Sequence, residues 1–169
     1  MKLFAFFIGG GTHNSLIELH DACFFIGEKM EDCYDDIRAH WWGDPKTLHV
    51  DCYGELTQAD GYKVTLRKTP PQNDPLKLYF INLGGYISGD FQELHKNVFV
   101  VARTEVKARV KALKQIQDWS GHHKDCEYDV EECFCINSAV EGSSYYLHLD
   151  PIADQSLFSF STKYFRLNE

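Results

Sequence analysis

A chain of 169 residues that is 44% hydrophobic and 25% charged carries enough apolar surface to fold, which excludes wholesale disorder. Its net charge of -8 argues against nucleic acid, because phosphate binding draws on clustered Lys and Arg. The 12 Phe, 9 Tyr and 3 Trp favour a β-rich fold with a thick core.

The apolar run at 3–8 leads into Gly9-Gly10-Gly11 and is too short to cross a bilayer. The same pattern returns at 78–83 before Gly84-Gly85, where no export signal could act, so both runs read as strands followed by a Gly-Gly loop. No membrane association is expected. Second strands are predicted at 17–26 and 92–101, each ending in the Phe, Ile and Val composition of a strand covered on both faces. A helix should follow each. In the first, Met30, Cys33, Tyr34, Ile37 and Trp41 recur at helical spacing, and Gly43-Asp44-Pro45 stops the chain. Core packing is the leading expectation for Trp41 and for Trp42, with the lining of a surface groove as the alternative for one of the two. In the second, Thr104 is the expected N-cap and Val106, Val110, Leu113 and Gln117 form the apolar stripe. The basic residues Arg103, Lys107, Arg109, Lys111 and Lys114 read as the wet side of that helix.

Strands at 48–56 and 62–66 flank the turn-like Gln58-Ala59-Asp60-Gly61. Their counterparts at 127–136 and 145–149 flank Glu141-Gly142-Ser143-Ser144. A proline-rich joint occupies 69–75. The tail, 151–169, has no counterpart. Alternation of Phe158, Phe160, Thr162 and Tyr164 with polar residues predicts one more strand there, at a sheet edge or paired with a second copy to form a homodimer.

These parallels are not only compositional. With Leu3 set against Leu78, identities fall at Gly9/Gly84, Gly10/Gly85, Glu18/Glu93, Leu19/Leu94, His20/His95 and Phe24/Phe99. Similarity at a fixed offset is the signature of a duplicated unit. The expected fold is therefore α+β: tandem duplicated ββαββ units at 1–68 and 76–150, related by a pseudo-two-fold, with antiparallel-rich sheets backed by two helices.

Glu18 and His20 should share one strand face, as should Glu93 and His95. A carboxylate beside an imidazole can orient a general base or help hold a metal, and strand-end glycines such as Gly9, Gly10, Gly84 and Gly85 let a ligand approach the backbone. The structural alternative has Glu accepting a hydrogen bond from His or from the Gly-Gly turn, and retention of the pair in both copies suits it. Asp21 extends the first copy, but Lys96 replaces it in the second, and it should face away from His20. His49 and Asp51, alternating on the third strand, could join His20 in a cross-strand metal site, with Glu127-Tyr128-Asp129 as the counterpart. His122, His123, Cys126, Cys133 and Cys135 match zinc ligands by type but not by spacing. The six cysteines read as reduced core thiols of a cytoplasmic protein.

Gly9-Gly10 followed by Ile17-Glu18-Leu19-His20-Asp21, then Phe24-Phe25-Ile26-Gly27-Glu28 and Glu31-Asp32-Cys33-Tyr34, resembles the bacterial domain-of-unknown-function family numbered 1543, whose members carry one or two copies of a short domain. The match is clearest over 3–51 and weaker over 78–101, and the second copy departs from it at Lys96 and Ala102. The resemblance implies a bacterial, cytoplasmic protein and brings no activity, cofactor or site residues. No cofactor is expected. The leading functional expectation is a non-enzymatic module for a peptide or protein partner. Beside it stand a metal-dependent hydrolase centred on His20, His49 and Asp51 with Glu18 in support, and a small-anion sensor at the Gly-Gly loops.

Overall fold

The computed structural model describes residues 1–72, 76–87, 89–115 and 129–167. Strands β1 (Lys2–Gly10) and β2 (Leu19–Gly27) form an antiparallel pair. A 3-10 turn at Met30–Cys33 then leads into α1 (Tyr34–His40), and the chain returns as β3 (His49–Glu55) on the other side of β1. The short β4 (Gln58–Ala59) and β5 (Tyr62–Arg67) make a tight hairpin, whose turn places Asp60 and Gly61 at positive φ as a two-residue connection demands.

The second half runs through β6 (Lys77–Tyr86), β7 (Glu93–Ala102), α2 (Glu105–Gln115), β8 (Asp129–Cys135), a 3-10 segment at Ile136–Val140, and β9 (Tyr146–Pro151). The tail contributes β10 (Phe165–Arg166). Sheet orders are β10-β3-β1-β2, β7-β6-β8 and β4-β5-β9.

The pairings of the two halves correspond residue for residue. Lys2 faces Gly27 and Gly9 faces His20; Lys77 faces Ala102 and Gly84 faces His95. The register of the third strand shifts between Phe7 and Ile8 in one half and between Asn82 and Leu83 in the other.

Three apolar clusters explain the layering. The outward side chains of β1, Phe4, Phe6 and Ile8, pack with Ile37 and Trp41 around α1. Tyr79, Ile81 and Leu83 of β6 pack with Ala108 and Ala112 of α2. The opposite faces, Leu3, Ala5 and Phe24 with Leu78, Phe80 and Val101, meet in one shared cluster that also takes in Phe158 of the tail. The helices therefore cover the outside and the two sheets bury their inner faces against each other.

Four expectations change. Gly9, Gly10, Gly84 and Gly85 lie inside paired strands, not in loops; ladder partners flank Gly9 and Gly84 on both sides, and Gly10 and Gly85 pair on one side, with Leu19 and Leu94. Helix α2 buries Ala108 and Ala112 and leaves Val106 and Val110 72% and 51% exposed, because close approach to a sheet selects small side chains. Gln117 lies outside the described residues. Trp41 is core, but Trp42 is 60% exposed beside Gly11, His13 and Thr47. In the tail the alternating residues form only an isolated bridge at Ser161. The strand proper is Phe165–Arg166, and it pairs with β3 of the same chain. Among the described residues, no helix is long and apolar enough to cross a membrane.

Candidate functional site

The third-strand register shift leaves Asp51 as an extra residue between Val50, opposite Ile8, and Cys52, opposite Phe7. Such a bulge breaks the alternation of faces and re-aims the side chains around it. Asp51 and His49, two residues apart on one face, stand above Gly9, where His20 arrives from β2 and Glu18 from the residue before that strand, and the bulge turns Cys52 to the same side. The floor must be glycine. A Cβ on Gly9 would stand 2.7 Å from His49 Nε2, 2.9 Å from His20 Cδ2 and 3.0 Å from Asp51 Oδ2. Gly10 serves the opposite face, where a Cβ would meet Trp41 at 2.8 Å.

The four side chains alternate in kind around a ring. His20 Nε2 lies 3.7 Å from Glu18 Oε2 and 3.6 Å from Asp51 Oδ2. His49 Nε2 lies 3.3 Å from Glu18 Oε1 and 3.4 Å from Asp51 Oδ1. His49 is only 3% exposed, and its Nδ1 donates to the Thr47 carbonyl at 2.9 Å. A carbonyl can only accept, so Nδ1 carries a hydrogen, and Nε2 is the ring nitrogen turned toward the two carboxylates. Asp51 Oδ2 is buried without a hydrogen-bond partner. Positive charge belongs among these atoms, either as protons on the imidazoles or as one divalent ion. Tyr164 of the tail stands against His49, ring centroids 4.7 Å apart, and Phe7 stacks on His20 at 5.4 Å and 7°.

The second half repeats the plan with different donors. The register sets Asp129 opposite Gly84 as His49 is set opposite Gly9, so the counterpart of His49–Asp51 is Asp129–Glu131 and not Glu127–Asp129. Glu131 is the extra residue of that bulge. His95 Nδ1 lies 3.2 Å from Glu131 Oε2 and 3.1 Å from Asn82 Oδ1, and His95 Nε2 lies 3.8 Å from Glu93 Oε2. One donor atom each from Glu93, His95 and Glu131 fall within 4.8 Å of one another, close enough to hold a metal ion. A Cβ on Gly84 would meet Glu131 Oε1 at 2.5 Å and Glu93 Oε1 at 2.7 Å. Gly9 and Gly84 are strand residues with carboxylates standing over them, those of Asp51 in one half and of Glu93 and Glu131 in the other.

The structure brings Glu18, His20, His49 and Asp51 together, and places beside the clusters Glu131, Tyr164 and Phe7, which sequence reading did not single out. Bulge position carries Glu131 and the tail path Tyr164, neither with a local signal, whereas alternation in β1 already sets Phe7 on the face of Gly9. Asp21 lies on the outer face, as alternation requires, with Oδ2 hydrogen-bonded to His40 Nε2 of α1 at 3.0 Å. Cys133 and Cys135 face α2, and burial pushes the Cys133 thiol up to about 11, which keeps it protonated. His122, His123 and Cys126 lie outside the described residues.

Fold and site together define an α+β protein with an acid–histidine cluster on a glycine floor in each half. A family model, Domain of Unknown Function (DUF1543), matches residues 15–66, which contain Glu18, His20, His49 and Asp51. The chain is similar along 99% of its length to the crystal structure of a protein Il1583 from Idiomarina loihiensis, with 28% identity, 99% of that chain covered and a TM-score of 0.72. Curated proteins give no match.

Proposed function

We propose that the chain is a metal-dependent hydrolase whose divalent cation is held by His20, His49 and Asp51, with Glu18 as general base for the attacking water. The observation that carries this reading is the spacing of the ring. Contacts of 3.3, 3.4, 3.6 and 3.7 Å are too long for charge-assisted N–H···O bonds, which run near 2.7–2.9 Å. Each approaches the roughly 3.4 Å between two ligands placed about 2.1 Å from a tetrahedral ion, and holding a single ion requires the ring to close in, since its donor atoms do not meet within 4.8 Å as those of Glu93, His95 and Glu131 do. The same residue types at Asp21 and His40, meeting at 3.0 Å, are what a hydrogen-bonded pair looks like. Imidazole and carboxylate donors suit zinc or manganese, and the Nδ1 bond to Thr47 is the outer support such a ligand needs.

Protein purified without a histidine tag should contain about one zinc per chain or take it up on titration. His49→Ala should lose that zinc, and Gly9→Ala should weaken it at least tenfold by pushing His49 and His20 aside. Protein that binds neither zinc nor manganese would end the reading.

The matching registers, bulges and glycine floors support tandem duplication, with the second cluster as a carboxylate-richer cation site. Buried free thiols at Cys23, Cys33 and Cys133 support a reducing, cytoplasmic setting. The partner-binding reading keeps one favourable observation. Leu16 and Phe91, at corresponding places in the two β-hairpin connections, are fully exposed beside the clusters. Glu18→Ala with His20→Ala should leave such binding intact, whereas Leu16→Ser with Phe91→Ser should remove it.

A further inference from the structure

The cluster of the second half differs from that of the first in how far its donors have already gathered. Glu93 and His95 project from one face of β7, and Glu131, the extra residue of the β8 bulge, reaches them from the other side of β6. The two carboxylates converge over the bare backbone of Gly84, where a Cβ would meet an oxygen of each within 2.7 Å. Among the described residues, only Glu93, His95 and Glu131 bring one donor atom each within 4.8 Å of one another. Two carboxylates against one imidazole also leave the cluster negative, and a cation relieves the repulsion between like charges held this close.

Neighbouring side chains hold the donors in place. Asn82 Oδ1 stands 3.1 Å from His95 Nδ1, and the Asn82 amide is fixed in turn by donating to Asn97 Oδ1 at 2.7 Å. The Tyr86 hydroxyl donates to Glu93, its partner across the ladder. Ligands oriented in this way lose less rotamer freedom when an ion arrives. The side chains of His95, Glu93 and Glu131 are 48%, 31% and 36% exposed, so solvent reaches the space between them and can fill the open positions of a bound ion. Donor chemistry then names the ion. Carboxylate oxygen suits magnesium, calcium and manganese, whereas imidazole suits the transition ions, and manganese(II) answers to both. With one imidazole fewer than the first cluster, the balance moves from zinc toward manganese. We propose that Glu93, His95 and Glu131 are the ligands of a second metal site, which binds one manganese(II) ion per chain independently of the first cluster. The inference does not rest on the hydrolase reading, because the two clusters share no ligand.

The test adds manganese(II) to protein that carries no histidine tag and has been stripped of metal. Binding is followed by loss of the electron paramagnetic resonance signal of the free aquo ion. The expected result is one tightly held ion per chain that a large excess of magnesium does not displace. Glu131→Gln keeps the shape of the side chain and removes its charge, and it should weaken binding at least tenfold. His95→Ala should do the same, whereas His49→Ala, in the first cluster, should leave the affinity within twofold. Glu93→Gln serves in place of Glu131→Gln should that variant not fold. Unaltered protein that holds no manganese, or yields it to magnesium, would overturn the inference and reduce His95 and Glu131 to an ordinary ion pair. Manganese retained by Glu131→Gln, or lost by His49→Ala, would overturn it as well, and the second result would place the ion in the first cluster and leave the hydrolase reading standing. A first cluster that takes up no zinc, beside manganese bound as expected, would remove the hydrolase reading and support this site.

Discussion

Asp21 and His40 join β2 to α1 by a hydrogen bond of 3.0 Å. Burial pushes the Asp21 carboxyl up, yet the His40 imidazole and the Ala22 amide outweigh it and leave the carboxyl below its ordinary 3.8. His40 moves the other way. The Asp21 hydrogen bond raises it above 6.5, with burial in partial opposition. The Asp21 contribution is present above pH 3.8 and lost as pH falls through the lowered folded value. The His40 contribution is full below pH 6.5 and lost as pH rises through the raised one. Both groups are more than a third exposed, so solvent screening holds the pair to roughly 0.5 kcal/mol. The gap in melting temperature between the parent and His40→Ala should be widest near pH 5 and close toward pH 8. A gap that widens above pH 7 would contradict the pairing. Neighbouring His20, one residue before Asp21, belongs instead to the inner cluster because alternate side chains take opposite faces.

At the scale of the element, α2 shows what periodicity carries and what it does not. The spacing of Val106 and Val110 announces a helix, and a helix forms at Glu105–Gln115. The same spacing does not choose the buried side. Ala108 and Ala112 obey it equally, and they face β6 and β7 with no exposure at all. Ala108→Leu should therefore cost about 1–3 kcal/mol in urea unfolding through overpacking. Val110→Ser should change stability by less than about 0.5 kcal/mol. Equal losses at the two positions would refute this orientation. The third strands teach a related lesson. His49 and Asp51 are legible as a pair on one face, but the bulge that brings Asp51 and Cys52 to the same side depends on pairing with β1. In the second half that pairing moves the counterpart from Asp129 to Glu131, a shift invisible without the partner strand.

At the scale of the whole molecule, the halves are tied by more than contact between apolar faces. Strands β5 and β9 pair across them from Tyr62 opposite Pro151 to Arg67 opposite Tyr146. Asp60, at the tip of the first half's hairpin, accepts from the Val101 amide at 2.6 Å and from Lys111 Nζ at 2.5 Å, both in the second half. The tail adds Phe158 to the shared core and Leu167 to the cluster under α1. Residues 1–68 expressed alone should then lack dispersed amide resonances, since their inner face and the free edge of β5 would be open to water. A cooperatively folded first half would show instead that the shared cluster is dispensable.

The sequence by itself determined most of the strands and both helices, and the likeness of residues 3–26 to 78–101. Strand and helix periods, the Gly-Gly steps and the paired Glu-x-His motifs all follow from local side-chain preference, which a linear pattern records. Tertiary structure alone decided which face of α2 is buried, where the bulges fall, and that Tyr164 and Glu131 stand at the clusters. Each of those depends on strand registers and sheet-to-sheet contacts between residues far apart in the chain. Burial is a property of the partner surface as much as of the side chain that enters it.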